Sequence, residues 1–288
     1  MRIAHAPSQL ERRPRAVAIG TFDGVHRGHL SVLRAAVASG LEPTVITLDP
    51  HPRIVLGNRV ELIATLQRRL ELLADAGVGD TLVAAFTPEF MRLTPQAFVD
   101  TYLRPIGAEA VAVGADFRFG NKRAGSVETL VELGFAVLDV EEVEGVSSSA
   151  IRDAVRAADL ATAAAMLGRP FELDGTVVSG DQRGGTLGYP TANIAMDAQL
   201  VCPRYGIYAG EARGHRAAIS IGTNPHYGGT ERRIEPFLLD FEGDLYGERL
   251  VVELWQRLRD EAVFDTEQAL IAQIAEDVEA TRAAVRPI

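Results

Sequence analysis

The apolar pattern of the chain changes once, near Gly168, which indicates two parts of different architecture. Before it, from Arg15 to about Val140, short apolar runs alternate with helical stretches. After it, short apolar runs recur with turn residues between them, and no long helical pattern occurs before Thr266. Alternating strands and helices predict a parallel sheet covered on both faces. Regularly spaced short strands predict a small antiparallel barrel or sandwich.

A chain of 288 residues accommodates two such domains, which we predict at residues 1–167 and 168–288. The fold class is α/β plus mainly β, with a Rossmann-like domain followed by a small antiparallel barrel. Strands are expected at residues 16–20, 44–48, 81–86, 110–114 and 136–140 in the first domain. In the barrel they are expected at residues 175–179, 206–210, 217–221, 234–241 and 250–255.

The helical stretches have recognisable ends. Helices are expected at residues 30–38, 66–76, 95–103, 147–157 and 159–167, and an amphipathic helix at residues 266–285 is expected to pack on the barrel. Thr94, Ser149 and Asp159 are the expected N-caps, and Gly168 is the expected stop.

Composition and charge narrow the class of partner. The net charge of −10 argues against a protein that binds nucleic acid, which needs a basic face. Because Lys122 is the only lysine, nearly every cationic phosphate ligand must be an arginine. No apolar run approaches the ~20 residues of a membrane span, and residues 1–15 lack a secretory signal. We expect a cytoplasmic monomer or weak homo-oligomer acting on small molecules, with no internal disulfide at the lone Cys202.

A glycine-rich segment at residues 20–29 follows the first predicted strand and leads into a helix. Gly20, Gly24 and Gly28 let the backbone turn tightly and approach a ligand, and the free N–H groups of the helix start suit phosphate. His26 and His29 share one helical face. They can hydrogen-bond a phosphate whose charge grows in a transition state. The alternative is a glycine-rich turn with two surface histidines, which the strand–turn–helix context disfavours.

A second segment, residues 175–193, is a strand, a glycine-rich loop and then Pro190, Thr191, Ala192 and Asn193. The loop can fold over phosphates with its N–H groups. Thr191 and Asn193 offer two oxygen ligands on one side of an extended chain, which suits Mg²⁺. A glycine-rich hairpin with incidental polar residues is the alternative.

These segments resemble motifs of one family, the bacterial bifunctional riboflavin kinase/FMN adenylyltransferases (FAD synthetases). In the first half, residues 20–29, 47–52, 113–120 and 146–152 occur in the family order. In the second half, residues 175–193, 221–225, 232–240, 244–247 and 258–261 do so. The resemblance spans about residues 15–281. It implies an enzyme that phosphorylates riboflavin to FMN and then adenylylates FMN to FAD, with ATP as the second substrate and Mg²⁺ as the metal.

The resemblance also implies roles in the first domain. His26 and His29 would contact the ATP phosphates and stabilise the transition state. His51 and Asp116 would position the substrates. The remaining expected ATP and phosphate ligands of this domain are Gly20, Phe22, Asp23, Gly24, Gly28, Ser147, Ser148, Ser149 and Arg152.

In the second domain, Glu235 matches the family's general base, which takes the proton of the riboflavin 5′-hydroxyl. Thr191 and Asn193 would hold Mg²⁺, and Asn224 and Arg259 would position the flavin. The expected phosphate-binding residues of the loop are Gly180, Arg183, Gly184 and Gly188. The alternative is that Glu235 is an ordinary outward-facing residue of its strand.

Six positions depart from the family pattern. Leu48 replaces an aromatic, Asp116 stands where Asn is frequent, and Ser149 replaces Thr. Gly185 replaces Arg, and His226 and Tyr227 stand where Thr and Phe are common. An FAD synthetase with a weak kinase half and a non-catalytic flavin-binding regulator are therefore kept as alternatives. A nucleotidyltransferase acting on phosphopantetheine or a polyol phosphate fits the first motif alone.

Overall fold

The computed structural model describes residues 1–179, 189, 191–223 and 232–288. By packing, the chain forms two compact units. The first contains Met1–Val60 and Leu66–Val146, and the second contains Glu61–Thr65 and Ser147–Ile288. The predicted site residues Gly180, Arg183, Gly184, Gly188 and Asn224, and the departures Gly185, His226 and Tyr227, lie outside the described residues.

The first unit is built on a parallel sheet, as the alternating pattern predicts. Its strands are β1 Arg2–Ala4, β2 Arg15–Gly20, β3 Glu42–Asp49, β4 Asp80–Ala85, β5 Ala108–Ala112 and β6 Ala136–Leu138. They lie in the order β1-β4-β3-β2-β5-β6, so the sequence-adjacent β2 and β3 are neighbours, and β5 lies on the other side of β2. The three-residue edge strand β1 was not anticipated.

The helices of the first unit follow the strands. They are α1 Arg27–Ala38, α2 Pro52–Val55, α3 Leu66–Asp75, α4 Pro88–Met91, α5 Pro95–Phe98 and α6 Val127–Glu132. Thr94 caps α5 as expected, accepting from the Ala97 N–H at 3.1 Å. The expected continuation of that helix to Leu103 is a π-helical turn, Val99–Leu103.

Two apolar clusters cover the two faces of the parallel sheet. In β2, Val17 and Ile19 belong to one cluster, and Ala16 and Ala18 belong to the other. This alternation is the period of two of a strand. Both faces are therefore buried, as in a doubly covered parallel sheet.

A charged pair is buried at the amino ends of the strands. Arg15 is fully buried, and its Nη1 donates to Asp80 at 2.7 Å and to the Thr44 hydroxyl at 2.8 Å. Its Nε donates to the Ile106 carbonyl at 2.9 Å. Burial alone would raise the pKa of Asp80, but the hydrogen bonds from Arg15 and Arg13 bring that pKa below its ordinary value.

The second unit is a nearly closed antiparallel barrel, which confirms the predicted architecture. Its strands are β7 Phe171–Val178, β8 Asn193–Met196, β9 Gly206–Ala212, β10 His215–Thr223, β11 Arg232–Leu238 and β12 Arg249–Arg259. They lie in the order β11-β10-β9-β12-β7-β8, and the Ala192 N–H donates to the Pro236 carbonyl at 3.0 Å where β8 approaches β11.

Three helices and one short segment pack with this barrel. The helices are α7 Ser148–Arg156, α8 Leu160–Leu167 and α9 Glu267–Ala283. In the segment Glu61–Thr65, Leu62 bridges to Leu200, and the Thr65 hydroxyl donates to Asp174 at 2.5 Å. By packing, α7 and α8 belong to the same unit as the barrel. The predicted domain boundary near Gly168 stays a prediction.

The helix caps largely follow expectation. Asp159 caps α8, and Gly168 ends it in the left-handed conformation, with φ of 77°. The expected cap at Ser149 is wrong, because the Ser147 hydroxyl accepts the Ala150 N–H at 3.1 Å. Each of the three consecutive serines is a suitable N-cap residue. Ser147 is the cap because its backbone is extended, whereas Ser148 and Ser149 already belong to the helix.

Among the described residues, no helix has the length and apolarity needed to cross a bilayer.

Candidate active sites

The loop after β2 is tightly formed. Phe22, Gly24 and Val25 all have positive φ, at 49°, 80° and 39°. For Phe22 and Val25 this conformation is uncommon and is found where surrounding packing enforces it. Both side chains are buried, and so is Asp23. A Cβ on Gly20 would lie 3.3 Å from the Phe22 ring, so the glycine allows the ring to pack against the backbone.

His26 and His29 come together at the start of α1, as their spacing predicts. Their rings stack with centroids 3.6 Å apart and planes 15° apart. His26 is the N-cap of the helix, and its Nδ1 accepts the His29 N–H at 3.3 Å. A neutral imidazole that accepts at Nδ1 carries its proton on Nε2. His26 is therefore set to donate a hydrogen bond through Nε2.

His29 is held neutral. Desolvation lowers its pKa well below the ordinary value, and His26 and Arg69 lower the pKa further. The edge of the Phe22 ring packs against it at 5.2 Å between centroids. Within the described part of the chain, its Nδ1 is buried without a hydrogen-bond partner. A neutral imidazole donates from one ring nitrogen and accepts at the other, so the His29 ring can make a polar contact with a ligand.

Two other predicted residues follow the carboxyl ends of the neighbouring strands. His51, after β3, is buried and accepts the Arg53 N–H at 3.2 Å as the cap of α2. Asp116 is exposed in the turn after β5. Because β3 and β5 flank β2, the loops carrying His26, His51 and Asp116 leave one edge of the sheet. Ligands bind at this edge in such folds.

Arg69 is a buried residue of this site that was not predicted. It lies on α3, and its guanidinium reaches the ends of β2 and β3, where it donates to Thr21, Thr47, Leu48 and Asp49. The signal in the sequence is its position on one helical face with Leu72 and Leu73, which are also buried. A charged residue in an apolar stripe needs buried partners.

The serine-rich segment belongs to the second unit by packing. Ser147 is used as the cap of α7, Ser148 is half-buried and Ser149 is exposed. Arg152 is buried, and its Nε donates to the Glu61 carbonyl at 2.5 Å. The expected role of these four residues at the ATP phosphates stays a prediction.

A cavity of about 280 Å³ lies between the face of β11 that carries Glu235 and the terminal helix α9. Glu235 is half-buried on β11, opposite Ser220 of β10, and Arg233 lies 3.7 Å from its carboxylate. Phe237 and Glu261 also line the cavity. Partial desolvation raises the pKa of Glu261, Arg259 opposes that shift, and the charge of Glu235 adds to it. Glu235 therefore lies on the face of β11 opposite the buried Ile234 and Leu238, and on that face it lines a cavity.

A second cavity, of about 370 Å³, lies beside Asn193 and is lined also by Asp244 and Tyr246. On β11, Pro236 and Leu238 line this second cavity, whereas Glu235 and Phe237 line the first. Successive strand residues point to opposite sides, which explains the division. Thr191 lines both cavities. The two predicted metal ligands, Thr191 and Asn193, are therefore together, with Thr191 at the junction.

Arg259 also lines the first cavity. Its Nε and Nη2 donate to the two carboxylate oxygens of Asp277 at 2.8 and 2.6 Å. Asp277 is buried on α9, and sequence reasoning missed it. The two hydrogen bonds between Arg259 and Asp277 link the terminal helix to β12 and hold the guanidinium at the cavity wall.

A glycine-rich loop that leads into a helix at the carboxyl edge of a parallel sheet, together with a barrel unit whose two cavities meet at Thr191, fits a group-transfer enzyme. Residues 8–152 match the family model described as FAD synthetase, and residues 167–285 match the one described as riboflavin kinase. The chain belongs to the bifunctional riboflavin kinase/FMN adenylyltransferase family.

Individual relatives agree with this assignment. The bifunctional riboflavin kinase/FMN adenylyltransferase of Listeria monocytogenes is 36% identical, covering 93% of this chain and 92% of its own length. The protein of that name from Escherichia coli K12 is 36% identical, covering 95% and 93%. A crystal structure titled as a macrolide-efflux protein from Streptococcus pneumoniae superposes with a TM-score of 0.85 and 31% identity, covering 97% of this chain and 98% of that one.

Proposed function

We propose that this protein makes FAD from riboflavin in two ATP-dependent steps. The first step transfers the γ-phosphate of ATP to riboflavin and gives FMN. The second transfers AMP from ATP to FMN and releases pyrophosphate. The observation that carries the proposal is that one chain contains both family regions, at residues 8–152 and 167–285.

Adenylyl transfer is assigned to the carboxyl edge of the parallel sheet. An oxygen of the FMN phosphate attacks the α-phosphorus of ATP while the bond to the departing pyrophosphate breaks. The nucleophile is already anionic, so no base is needed, and positioning with charge stabilisation suffices. His26 donates through Nε2, neutral His29 offers a second ring contact, and the N–H groups at the start of α1 face the phosphates.

The other predicted residues of the first site have supporting roles. Ser147, Ser148, Ser149 and Arg152 bind the phosphates that leave as pyrophosphate. His51 and Asp116 position the substrates from the loops after β3 and β5. The support for these two is that their loops leave the sheet at the edge where the histidine pair lies.

Phosphoryl transfer is assigned to the junction of the two barrel cavities. Riboflavin occupies the cavity of Glu235 and Arg259, and ATP occupies the cavity of Asn193. Glu235 takes the proton of the 5′-hydroxyl as the hydroxyl oxygen attacks the γ-phosphorus and ADP departs. Gly180, Arg183, Gly184 and Gly188 bind the phosphates, and Asn224 positions the flavin; these five residues lie outside the described part of the chain.

Mg²⁺ fits the donors at this junction. The Thr191 hydroxyl and the Asn193 side-chain carbonyl are neutral hard oxygen donors at one cavity wall, which suits a Mg²⁺ that also binds phosphates and water. When bound, the ion neutralises charge on the transferred phosphate. We further propose that the protein is cytoplasmic and is a monomer or weak homo-oligomer, which light scattering after gel filtration tests.

A chromatographic time course from riboflavin and excess MgATP tests the function. FMN that rises and then gives way to FAD is the expected result, and chelation of Mg²⁺ should stop both steps. FAD made from FMN but not from riboflavin would reduce the protein to an FAD synthetase with an inactive kinase. Flavin binding without any product would overturn the proposal and favour a flavin-binding regulator.

A further inference from the structure

Arg69 connects the two strand ends that frame the adenylyl-transfer site. The residue is 2% exposed, although it carries a charge. Its Nη1 donates to the Thr21 carbonyl at 2.8 Å and to the Leu48 carbonyl at 3.1 Å, and lies 3.3 Å from the Thr47 hydroxyl. Its Nη2 donates to Asp49 at 3.2 Å.

These acceptors belong to two different functional segments. Thr21 opens the loop that leads to the histidine pair, and Leu48 and Asp49 end the strand that leads to His51. A rigid, planar guanidinium can bind acceptors in both segments at once and so fix their separation. The Thr47 hydroxyl reinforces this link, because it donates to the same Thr21 carbonyl at 3.1 Å.

The electrostatic surroundings of Arg69 also belong to the site. Burial lowers the pKa of Arg69, and the charges of Asp23 and Asp49 oppose that shift. In turn, the positive charge of Arg69 contributes to the lowered pKa of His29. Its Nε is buried and has no hydrogen-bond partner among the described residues. Burying a charge with an unsatisfied donor costs free energy, so packing alone does not account for Arg69. This cost indicates a functional role.

We propose that Arg69 is a positioning residue for adenylyl transfer, which sets the glycine-rich loop of His26 and His29 against the strand end that carries His51. This inference rests on the assignment of adenylyl transfer to the histidine site. Arg69 is not expected to contact the substrate, and it acts through the two segments that it joins.

Arg69→Met and Arg69→Lys test the proposal, with Arg68→Met as the matched control. Arg68 is the adjacent arginine on α3, it is half-buried, and its ion pair with Glu71 lies within the helix. FAD formation from FMN and FMN formation from riboflavin are measured on each full-length variant. The thermal unfolding midpoint is recorded alongside.

Arg69→Met should lower kcat for FAD formation by about 100-fold, because small misplacements of reacting groups cost rates of this order. The KM for FMN should change by less than about threefold, as expected when ground-state binding is retained. Arg69→Lys should recover part of kcat, since an ammonium can bind some of the same acceptors. Riboflavin kinase activity should be unchanged in both variants, and Arg68→Met should resemble the parent protein.

Other outcomes overturn the inference. Normal FAD formation by Arg69→Met would show that the link is dispensable. A parallel fall of both activities with a lower unfolding midpoint in both variants would show that Arg69 only stabilises the fold. Parent protein that makes no FAD from FMN would instead overturn the proposed function, so the two failures are distinguishable.

Discussion

The imidazole rings of His26 and His29 stack at 3.6 Å between centroids, and the Nδ1 of His26 accepts the backbone N–H of His29. The stack is compatible with two neutral rings and would be opposed by two positive charges. His26 is therefore the helix cap, and His29 is kept neutral within the same turn. In the proposed mechanism, this pair also contacts the ATP phosphates.

His29→Ala should abolish most FAD formation without affecting FMN formation. Loss of one preorganised polar contact to a developing charge costs about 10²–10³-fold in rate. Both reactions are measured on the same preparation, so the kinase activity reports that the barrel is folded. His5→Ala is the control, because His5 is an exposed histidine of the same unit. Equal damage to both reactions would contradict the two-site assignment.

The lowered pKa of His29 predicts a pH-dependent stability. A histidine whose pKa is lowered in the folded state binds fewer protons there than in the unfolded chain, so protonation favours unfolding. The neutral His29 ring therefore costs the fold no stability above its ordinary pKa of 6.5, and the free energy of unfolding decreases as the pH falls below that value. His29→Gln should therefore lose less stability than the parent protein between about pH 7 and pH 5. Urea unfolding at several pH values measures the difference, and parallel curves would contradict it.

Glu235→Gln should stop FMN formation and leave FAD formation from added FMN intact. The substitution keeps the shape of the side chain and removes the base, which contributes typically about 10²–10⁴-fold. Glu211→Gln is the matched control, because Glu211 is a half-buried glutamate on β9 that does not line the Glu235 cavity. Retention of kinase activity in Glu235→Gln would assign the proton transfer to another group.

Much of this architecture could be predicted because it depends on local patterns. The strand–helix alternation gave the parallel sheet, and the residues at its carboxyl edge followed from the positions of the loops. Arg69 could not be predicted in this way, because its acceptors lie 20 to 48 positions away in the chain. Its spacing with Leu72 and Leu73 indicates burial but gives no partner.

The terminal helix shows the same limit. The sequence predicts an amphipathic helix packed on the barrel, and the helix is present. Its apolar residues at helical spacing are Leu270, Ile271, Ile274 and Val278. These four side chains are half-buried, while the fully buried positions are Asp277 and Thr281. Asp277 is buried because Arg259 of β12 neutralises it. Hydrophobic periodicity cannot reveal a contact face that depends on a distant ion pair.

Asp277→Asn should weaken riboflavin binding more than it slows turnover. The substitution removes the charge that holds Arg259 at the cavity wall and costs about 1–3 kcal/mol for a charged hydrogen bond. We expect the KM for riboflavin to rise more than kcat falls, and the barrel to unfold at lower urea concentration. Asp265→Asn, at an exposed aspartate just before α9, is the control. An unchanged KM would remove Arg259 from the binding site.

Asp80→Asn should destabilise the first unit while both activities remain measurable in folded protein. Breaking a buried pair by removing one partner costs about 3–5 kcal/mol, because Arg15 would keep its charge without a countercharge at 2.7 Å. Thr44→Val, which removes one acceptor of the same guanidinium, should cost only about 0.5–1.5 kcal/mol. Asp75→Asn is an exposed control on α3.

The lowered pKa of Asp80 predicts how the effect of Asp80→Asn on the free energy of unfolding changes with pH. The pKa of Asp80 is lowered in the folded state, so its contribution is present above the ordinary value of 3.8 and is lost as the pH falls through the lower folded value. The difference in unfolding free energy between the parent protein and Asp80→Asn should therefore shrink only in strong acid. A difference that disappears near neutral pH would contradict a buried ion pair between Arg15 and Asp80.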